Sequence, residues 1–167
     1  EGMTPTDRAT GSILSAMAAA GTFRLGGTIV GTNAFRLYEG ELGVRLPLGG
    51  MANTGDIDIA QFEKLSVALQ DQVDPGLAET FSALKFDPLP AIDQGRTWRW
   101  AQGGSGQLVE FLTPAFGDET IRELPALGVN AQGLNYLNFL IAEPSERVHA
   151  ENLKSAAVGE YWTLPAR

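Results

Sequence analysis

The sequence contains no cysteine, a single histidine and no long hydrophobic run. Without cysteine the chain has no disulfide, no thiolate nucleophile and no cysteine metal site. His149 lies in the polar segment SERVHAEN, a setting typical of a solvated surface histidine rather than of a ligand or base. Because no segment has the length needed to cross a bilayer, we expect a cytoplasmic protein without a membrane partner.

Basic residues are also scarce. The chain has 12 lysines and arginines against 20 acidic residues, a formal net charge of -8, and its basic residues are scattered. No basic stripe is available to neutralise the phosphates of an extended DNA duplex, so we do not expect that partner. The P-loop, HExxH and GxGxxG motifs are absent as well. The 167 residues are 44% hydrophobic, which is enough for the core of one ordinary domain.

Hydrophobic periodicity predicts a mixture of helices and strands. The segment RATGSILSAMAAA is predicted to form a helix that Thr6 or Asp7 caps and Gly21 ends. An apolar strand follows, and a tight turn at Gly31 and Thr32 then opens a second helix. The geometry predicted for this part of the chain is therefore strand, turn and helix.

The rest of the chain continues the mixed pattern. A loop is predicted over VRLPLGGMANTG, and a helix from about Ala60 to Asp71 because apolar residues recur there at helical spacing. A short helix is predicted in DPGLAETFSALKF, and a hairpin from RTWRWAQ and QLVEFLT, which GGSG joins. Residues 119–142 fit either helix or strand. We therefore expect a mixed α/β domain.

The stretch TGDIDIAQF places Asp56 and Asp58 one residue apart on a predicted strand. Side chains alternate along a strand, so the two carboxylates share one face. Two like charges at such a short separation are unfavourable unless a cation lies between them, and a divalent metal ion is the common solution. The alternative is a solvated strand end that caps the following helix. A calcium EF-hand is excluded, since Gln61 and Val67 occupy the positions that require glycine and glutamate.

A nucleoside triphosphate substrate would give each of these features a chemical use. A turn at Gly31 and Thr32 brings backbone N–H groups, a hydroxyl and the positive end of a helix against phosphate oxygens. Magnesium ions held by carboxylates neutralise the triphosphate and stabilise the departing pyrophosphate. Gly26 and Gly27 are an alternative phosphate turn, ranked second because they precede a strand rather than open a helix.

A third acid, Glu110, lies among apolar residues in QLVEFLTP, and no lysine or arginine occurs within ten residues of it. A buried carboxylate needs a partner, which is either a metal ion or a distant arginine such as Arg99 across the hairpin. On a strand Trp98 and Trp100 would share one face and Arg99 the other. Arg99 is then either a solvated residue or a side chain that reaches the triphosphate or the acceptor.

The ordered set GGTIVGTNAF, DIDIAQFEKLSVAL, LKFDPLP, TWRW, VEFLTP and LNYLNFLIAEP resembles bacterial nucleotidyltransferase-like proteins of the DNA polymerase beta superfamily. The resemblance covers about residues 11–144. It implies the nucleotidyltransferase fold, a small mixed sheet flanked by helices, with the small-residue signature at Gly31 and Thr32. It also implies metal ligands at Asp56, Asp58 and Glu110. The family's usual second small residue is glycine or serine, and here it is threonine.

We therefore expect a nucleotidyltransferase domain over residues 1–144, with residues 145–167 as an extension that is incomplete relative to the family. The expected reaction moves a nucleotidyl group from ATP to a hydroxyl of an acceptor that is a small molecule, an RNA or a protein, with Mg²⁺ or Mn²⁺ as cofactor. One rival is a DxD glycosyltransferase, which would need a longer nucleotide-binding region before the motif. The other is a degenerate domain that binds nucleotide or a partner protein, as in toxin–antitoxin pairs.

Overall fold

The computed structural model describes residues 6–44, 55–92, 95–142, 146–151 and 158–163. The loop predicted over VRLPLGGMANTG lies almost wholly outside these residues, and so does the side chain of His149. The helices are α1 (Arg8–Ala20), α2 (Gly31–Leu42), α3 (Glu63–Leu69), α4 (Leu77–Ala83) and α5 (Asn138–Ile141). The strands are β1 (Thr28–Val30), β2 (Asp56–Ala60), β3 (Phe86–Pro88), β4 (Arg99–Gln102), β5 (Leu108–Ala115), β6 (Ile121–Leu124), β7 (Val129–Asn135), β8 (Glu146–Glu151) and β9 (Val158–Thr163).

Strands β1 to β7 form one mixed sheet around β5. β5 runs parallel to β2 and to β7, and antiparallel to β4, with which it forms the predicted hairpin. β1 lies antiparallel to β2 at one edge, β3 pairs with β4, and β6 pairs with β7. Strands β8 and β9 form a separate antiparallel pair. The expectation of a mixed α/β fold with a sheet flanked by helices is confirmed.

Helix α1 begins and ends where the sequence predicts. The side chain of Asp7 accepts a hydrogen bond from the Thr10 backbone nitrogen at 2.9 Å, so Asp7 is the N-cap. Gly21 ends the helix in the left-handed conformation, at φ 93°. The buried residues Ile13 and Met17 face the sheet core. Among the described residues, no helix has the length and apolar composition to span a membrane.

Alternation of side chains gives the sheet two different faces. Ile57 and Ile59 of β2 and Phe111 of β5 pack in the main core together with residues of α1 and α4. The opposite face carries a smaller apolar cluster, whose buried members are Val30, Ala60, Leu112, Leu137 and Ile141. Asp56 and Asp58 alternate with the isoleucines and therefore share this second face. We refer to it as the acid face.

One helix boundary predicted from the sequence is wrong. The helix predicted from about Ala60 begins only at Glu63, because Ala60 completes β2 by pairing with Thr28 and Leu112. The segment left open between helix and strand, residues 119–142, forms β6, β7 and α5. The proposed division at residue 144 stays a prediction.

The two tryptophans do not share a face. Trp100 packs in the main core, whereas Trp98 packs with the apolar cluster of the acid face. Trp98 does not alternate with Trp100 because β4 begins only at Arg99, which leaves Trp98 outside the regular strand. Trp98 thus becomes part of the surroundings of the acidic residues.

Candidate active site

Asp58 and Glu110 are direct neighbours across the parallel pair of β2 and β5. The residues that face each other in a sheet project to the same side, so both carboxylates lie on the acid face. Asp56 joins them from two positions earlier on β2. The register thus brings together the three acids that the sequence singled out.

Burial and neighbouring charges change the ionisation of Asp58 and Glu110. Burial raises the pKa of Asp58 from 3.8 to about 6, and the negative charges of Glu110 and Asp56 add to the effect. Burial also raises the pKa of Glu110; the Arg99 charge works in the opposite direction and Asp56 in the same one. An acid whose charge is this unfavourable in the free protein is one that gains from a bound cation.

Arg99 lies directly opposite Glu110 in the antiparallel pair of β4 and β5. Its guanidinium carbon lies 5.0 Å from the centre of the Trp98 ring, which is within the range of a cation–π contact. Arg99 Nε is buried and has no hydrogen-bond partner within the described part of the chain. Arg99 therefore lies on the acid face with its Nε–H donor unused. Such a donor is suited to a phosphate or another anionic ligand.

Helix α2 starts directly beside Asp58. Gly31 is its first residue, with φ at 68°, and a Cβ built there would overlap the Asp58 Oδ2 atom. Val30 is the N-cap and makes no side-chain capping hydrogen bond. Thr32 follows Gly31, half-buried. The first turn of α2 therefore offers backbone N–H groups and the positive end of a helix next to the acids.

Gly26 and Gly27, the alternative phosphate turn, are engaged inside the fold. A Cβ at Gly27 would come within 2.8 Å of the Thr22 carbonyl oxygen, and one at Gly26 within 2.5 Å of Leu65 Cδ2. The Gly27 nitrogen donates to that same Thr22 carbonyl at 2.9 Å. Close internal packing accounts for glycine at both positions.

Sequence reasoning missed Asn33. Its Nδ2 atom donates to the backbone carbonyl of Asp56 at 2.5 Å, which ties the third residue of α2 to the start of β2. No pattern marks an asparagine at this point of a helix, although its weak helix propensity is a hint that tertiary contacts retain it. The role of Trp98 beneath Arg99 was missed as well, because tryptophan was interpreted as a core residue.

The donor set of the acid face fits a hard divalent cation. Asp56, Asp58 and Glu110 supply only carboxylate oxygens, the ligands that Mg²⁺ and Mn²⁺ prefer. Within the described residues, no group of three acidic or histidine side chains stands close enough to enclose a metal ion as the side chains lie.

The mixed sheet flanked by helices is consistent with a nucleotidyltransferase fold, and sequence comparison agrees. A family model described as Nucleotidyltransferase matches residues 8–158. Because the match spans most of the 167 residues, the chain belongs to this nucleotidyltransferase family. Comparison with curated proteins and with solved structures gives no match.

Proposed function

We propose that the protein transfers a nucleotidyl group from ATP to a hydroxyl of an acceptor molecule and releases pyrophosphate. The observation that carries this proposal is the pairing of Asp58 with Glu110 across β2 and β5, beside the uncapped start of α2. Carboxylates and a helix N-terminus are complementary to the cation and to the phosphates of a metal–triphosphate complex. Membership of the DNA polymerase beta superfamily, a bacterial source and a cytoplasmic location stay predictions from the sequence.

In this proposal the first turn of α2 binds the triphosphate. Gly31 has no side chain, so phosphate oxygens can approach the backbone N–H groups of the turn, and the Thr32 hydroxyl donates one further hydrogen bond. Arg99, which rests against Trp98, directs its free Nε–H toward negative charge on the triphosphate or the acceptor. These contacts orient the α-phosphate toward the acids.

Asp56, Asp58 and Glu110 would hold Mg²⁺ or Mn²⁺. When bound there, the cations neutralise the triphosphate, lower the pKa of the attacking hydroxyl and stabilise the departing pyrophosphate. Asp56 and Asp58 would hold the cation that accompanies the triphosphate, and Glu110 would help to hold a cation that activates the acceptor hydroxyl. The raised pKa of Asp58 supports this assignment, since a nearby cation offsets both the burial and the neighbouring negative charges that raise it.

Thermal unfolding in the presence of ligands tests the proposal. Mg²⁺ and a non-hydrolysable ATP analogue should together raise the melting temperature by more than the sum of their separate effects, because each supplies charge that the other needs. A matched pair, Mn²⁺ with a UDP-sugar, tests the glycosyltransferase alternative. Stabilisation by that pair and not by the ATP pair would overturn our proposal, and purely additive shifts would favour a catalytically degenerate binding domain.

A further inference from the structure

Strand β1 is shorter than the strand beside it. Its last residue, Val30, pairs with Asp58, whereas β2 extends back to Asp56. The Gly55 carbonyl accepts from the Leu108 nitrogen of β5 at 2.8 Å. Since main-chain polar groups alternate in direction along a strand, the Asp56 carbonyl points the other way, toward β1. At that level β1 has already ended, so β1 cannot supply a donor.

Asn33 supplies the missing donor. Its side-chain Nδ2 reaches the Asp56 carbonyl at 2.5 Å, and the contact is partly buried. A carbonyl oxygen only accepts, so the partner must be an N–H or O–H group of suitable reach. An amide side chain on the first turn of α2 therefore continues the sheet's hydrogen bonding beyond the end of β1.

This bond connects α2 to β2 at a second point, besides the contact of Gly31 with Asp58. Gly31 lies against the Asp58 carboxylate, and Asn33 holds the backbone of Asp56. Helix start and acidic strand are thereby fixed at two places, one for each aspartate. Loss of either contact would alter the distance between the backbone N–H groups of the turn and the carboxylates.

We propose that Asn33 is a positioning residue that sets the distance between the first turn of α2 and the carboxylates of Asp56 and Asp58. The inference rests on the function proposed above. Asn33 itself is assigned no contact with substrate. Asn33 acts on the coupling between two binding events. A triphosphate bound by the turn and a cation held by the aspartates strengthen each other's binding only when α2 and β2 keep a fixed separation.

The substitution Asn33→Leu tests this, since it removes the donor at nearly constant size and adds no charge. The matched control is Gln102→Leu, because Gln102 Nε2 also donates to a backbone carbonyl, that of Leu84, at 2.8 Å. Gln102 lies at the far end of β4 from Arg99. Calorimetry would give the affinity for Mn²⁺ with and without a non-hydrolysable ATP analogue in each protein.

In the unaltered protein the analogue should tighten Mn²⁺ binding. Asn33→Leu should reduce this enhancement by about five- to tenfold, the range expected for loss of one hydrogen bond, while Mn²⁺ alone binds as before. Gln102→Leu should lower the melting temperature but keep the full enhancement. Asn33→Gln, which retains a donor, should recover part of it, and Asn33→Ala provides the same comparison if the leucine variant does not fold.

The outcomes separate the two proposals. If the unaltered protein shows enhancement and Asn33→Leu shows the same enhancement, the positioning role is wrong and the proposed function stands. If the unaltered protein shows no enhancement, the proposed function fails and the positioning role with it. A loss of enhancement in Gln102→Leu equal to that in Asn33→Leu would reduce Asn33 to a general contributor to stability.

Discussion

The α-carbon of Gly31 lies so close to the Asp58 carboxylate that a Cβ at position 31 would overlap the Oδ2 atom. The residue also has φ at 68°, a conformation that side chains disfavour. Both features arise where β1 ends and α2 begins. The start of α2 and the acidic strand β2 are therefore in close contact at this point.

Substitution of Gly31 should cost more than backbone strain alone. Gly31→Ala must accommodate both the left-handed conformation, at about 1–2 kcal/mol, and a collision with Asp58. The control is Gly43→Ala, since Gly43 has φ at 65° and no atom within 4 Å of a built Cβ. Chemical denaturation should show a larger loss for Gly31→Ala, and calorimetry should show loss of triphosphate binding only there. Equal losses in stability would contradict the close approach.

Thr32 should matter less than Gly31 to triphosphate binding. Thr32→Ala removes one hydroxyl donor to a charged acceptor, which is worth about 1.5–3 kcal/mol, and leaves the backbone free to approach the phosphates. Gly31→Val should abolish binding outright because its side chain obstructs that approach. Small and equal effects of the two substitutions on affinity for the ATP analogue would place the phosphates elsewhere.

Asp58→Asn should stabilise the metal-free protein in a pH-dependent way. The carboxyl titrates near 3.8 when unfolded and near 6 when folded, so between these values the folded state binds more protons and its stability falls as pH rises. The shift corresponds to about 3 kcal/mol, and solvent screening at a partly open site reduces the expected gain to about 1–2 kcal/mol. Denaturation should show this gain at about pH 7.5 and almost none at about pH 3.5.

The control for this pH dependence is Asp71, whose pKa is shifted in the opposite direction. A hydrogen bond from Arg24 lowers the pKa of the Asp71 carboxyl, so its contribution is present at neutral pH and is lost on acidification. Asp71→Asn should therefore destabilise the protein at neutral pH, in contrast to Asp58→Asn. If Asp58→Asn also destabilises the fold at neutral pH, Asp58 is a structural cap or ion-pair member rather than a cation ligand.

Glu110→Gln should impair transfer while leaving triphosphate binding largely intact. Glu110 is proposed to act on the acceptor side, and loss of that activation should lower the rate by about 10²–10⁴-fold. Asp56 and Asp58 remain to hold the cation that accompanies the triphosphate. Glu123→Gln, on the exposed part of β6, is the control with the same change in charge. Loss of ATP-analogue affinity in Glu110→Gln would assign Glu110 to the triphosphate side instead.

Arg99→Met should change the affinities for cation and triphosphate in opposite directions. The Arg99 charge opposes the raised pKa of Glu110, so its removal should make the acid face more attractive to Mn²⁺ in the absence of nucleotide. The same removal should weaken binding of the ATP analogue. Arg96→Met removes an equal charge from an exposed residue that bonds the Ile121 carbonyl, and should change neither affinity. Parallel changes in Arg99→Met would limit Arg99 to a structural role.

The local part of the site could be predicted from the sequence. Alternation along a strand is a property of consecutive residues, and it was sufficient to put Asp56 and Asp58 on one face. The start of α2 at Gly31 followed from the change between apolar strand and helical spacing. Both features depend on neighbours within a few positions, which is the range in which sequence patterns carry structural information.

The relationships between distant segments were harder to obtain. Nothing local to Glu110 specifies that it pairs with Asp58, because the register of a parallel pair is set by packing over the whole sheet. Asn33 was missed because its partner is a backbone carbonyl at a strand end, which has no signature in sequence. Trp98 was misplaced because β4 begins at Arg99, three residues after the expected start at Arg96.

The central claim is nucleotidyl transfer that depends on the paired acids, and labelled ATP tests it most directly. The protein would be incubated with Mg²⁺ and cell extract, once with ATP labelled at the α-phosphate and once with ATP labelled at the γ-phosphate. We predict that α-label becomes attached to an acceptor, that γ-label leaves as pyrophosphate, and that Asp58→Asn abolishes both. Transfer of γ-label to the acceptor, or α-label attachment that persists in Asp58→Asn, would contradict the account.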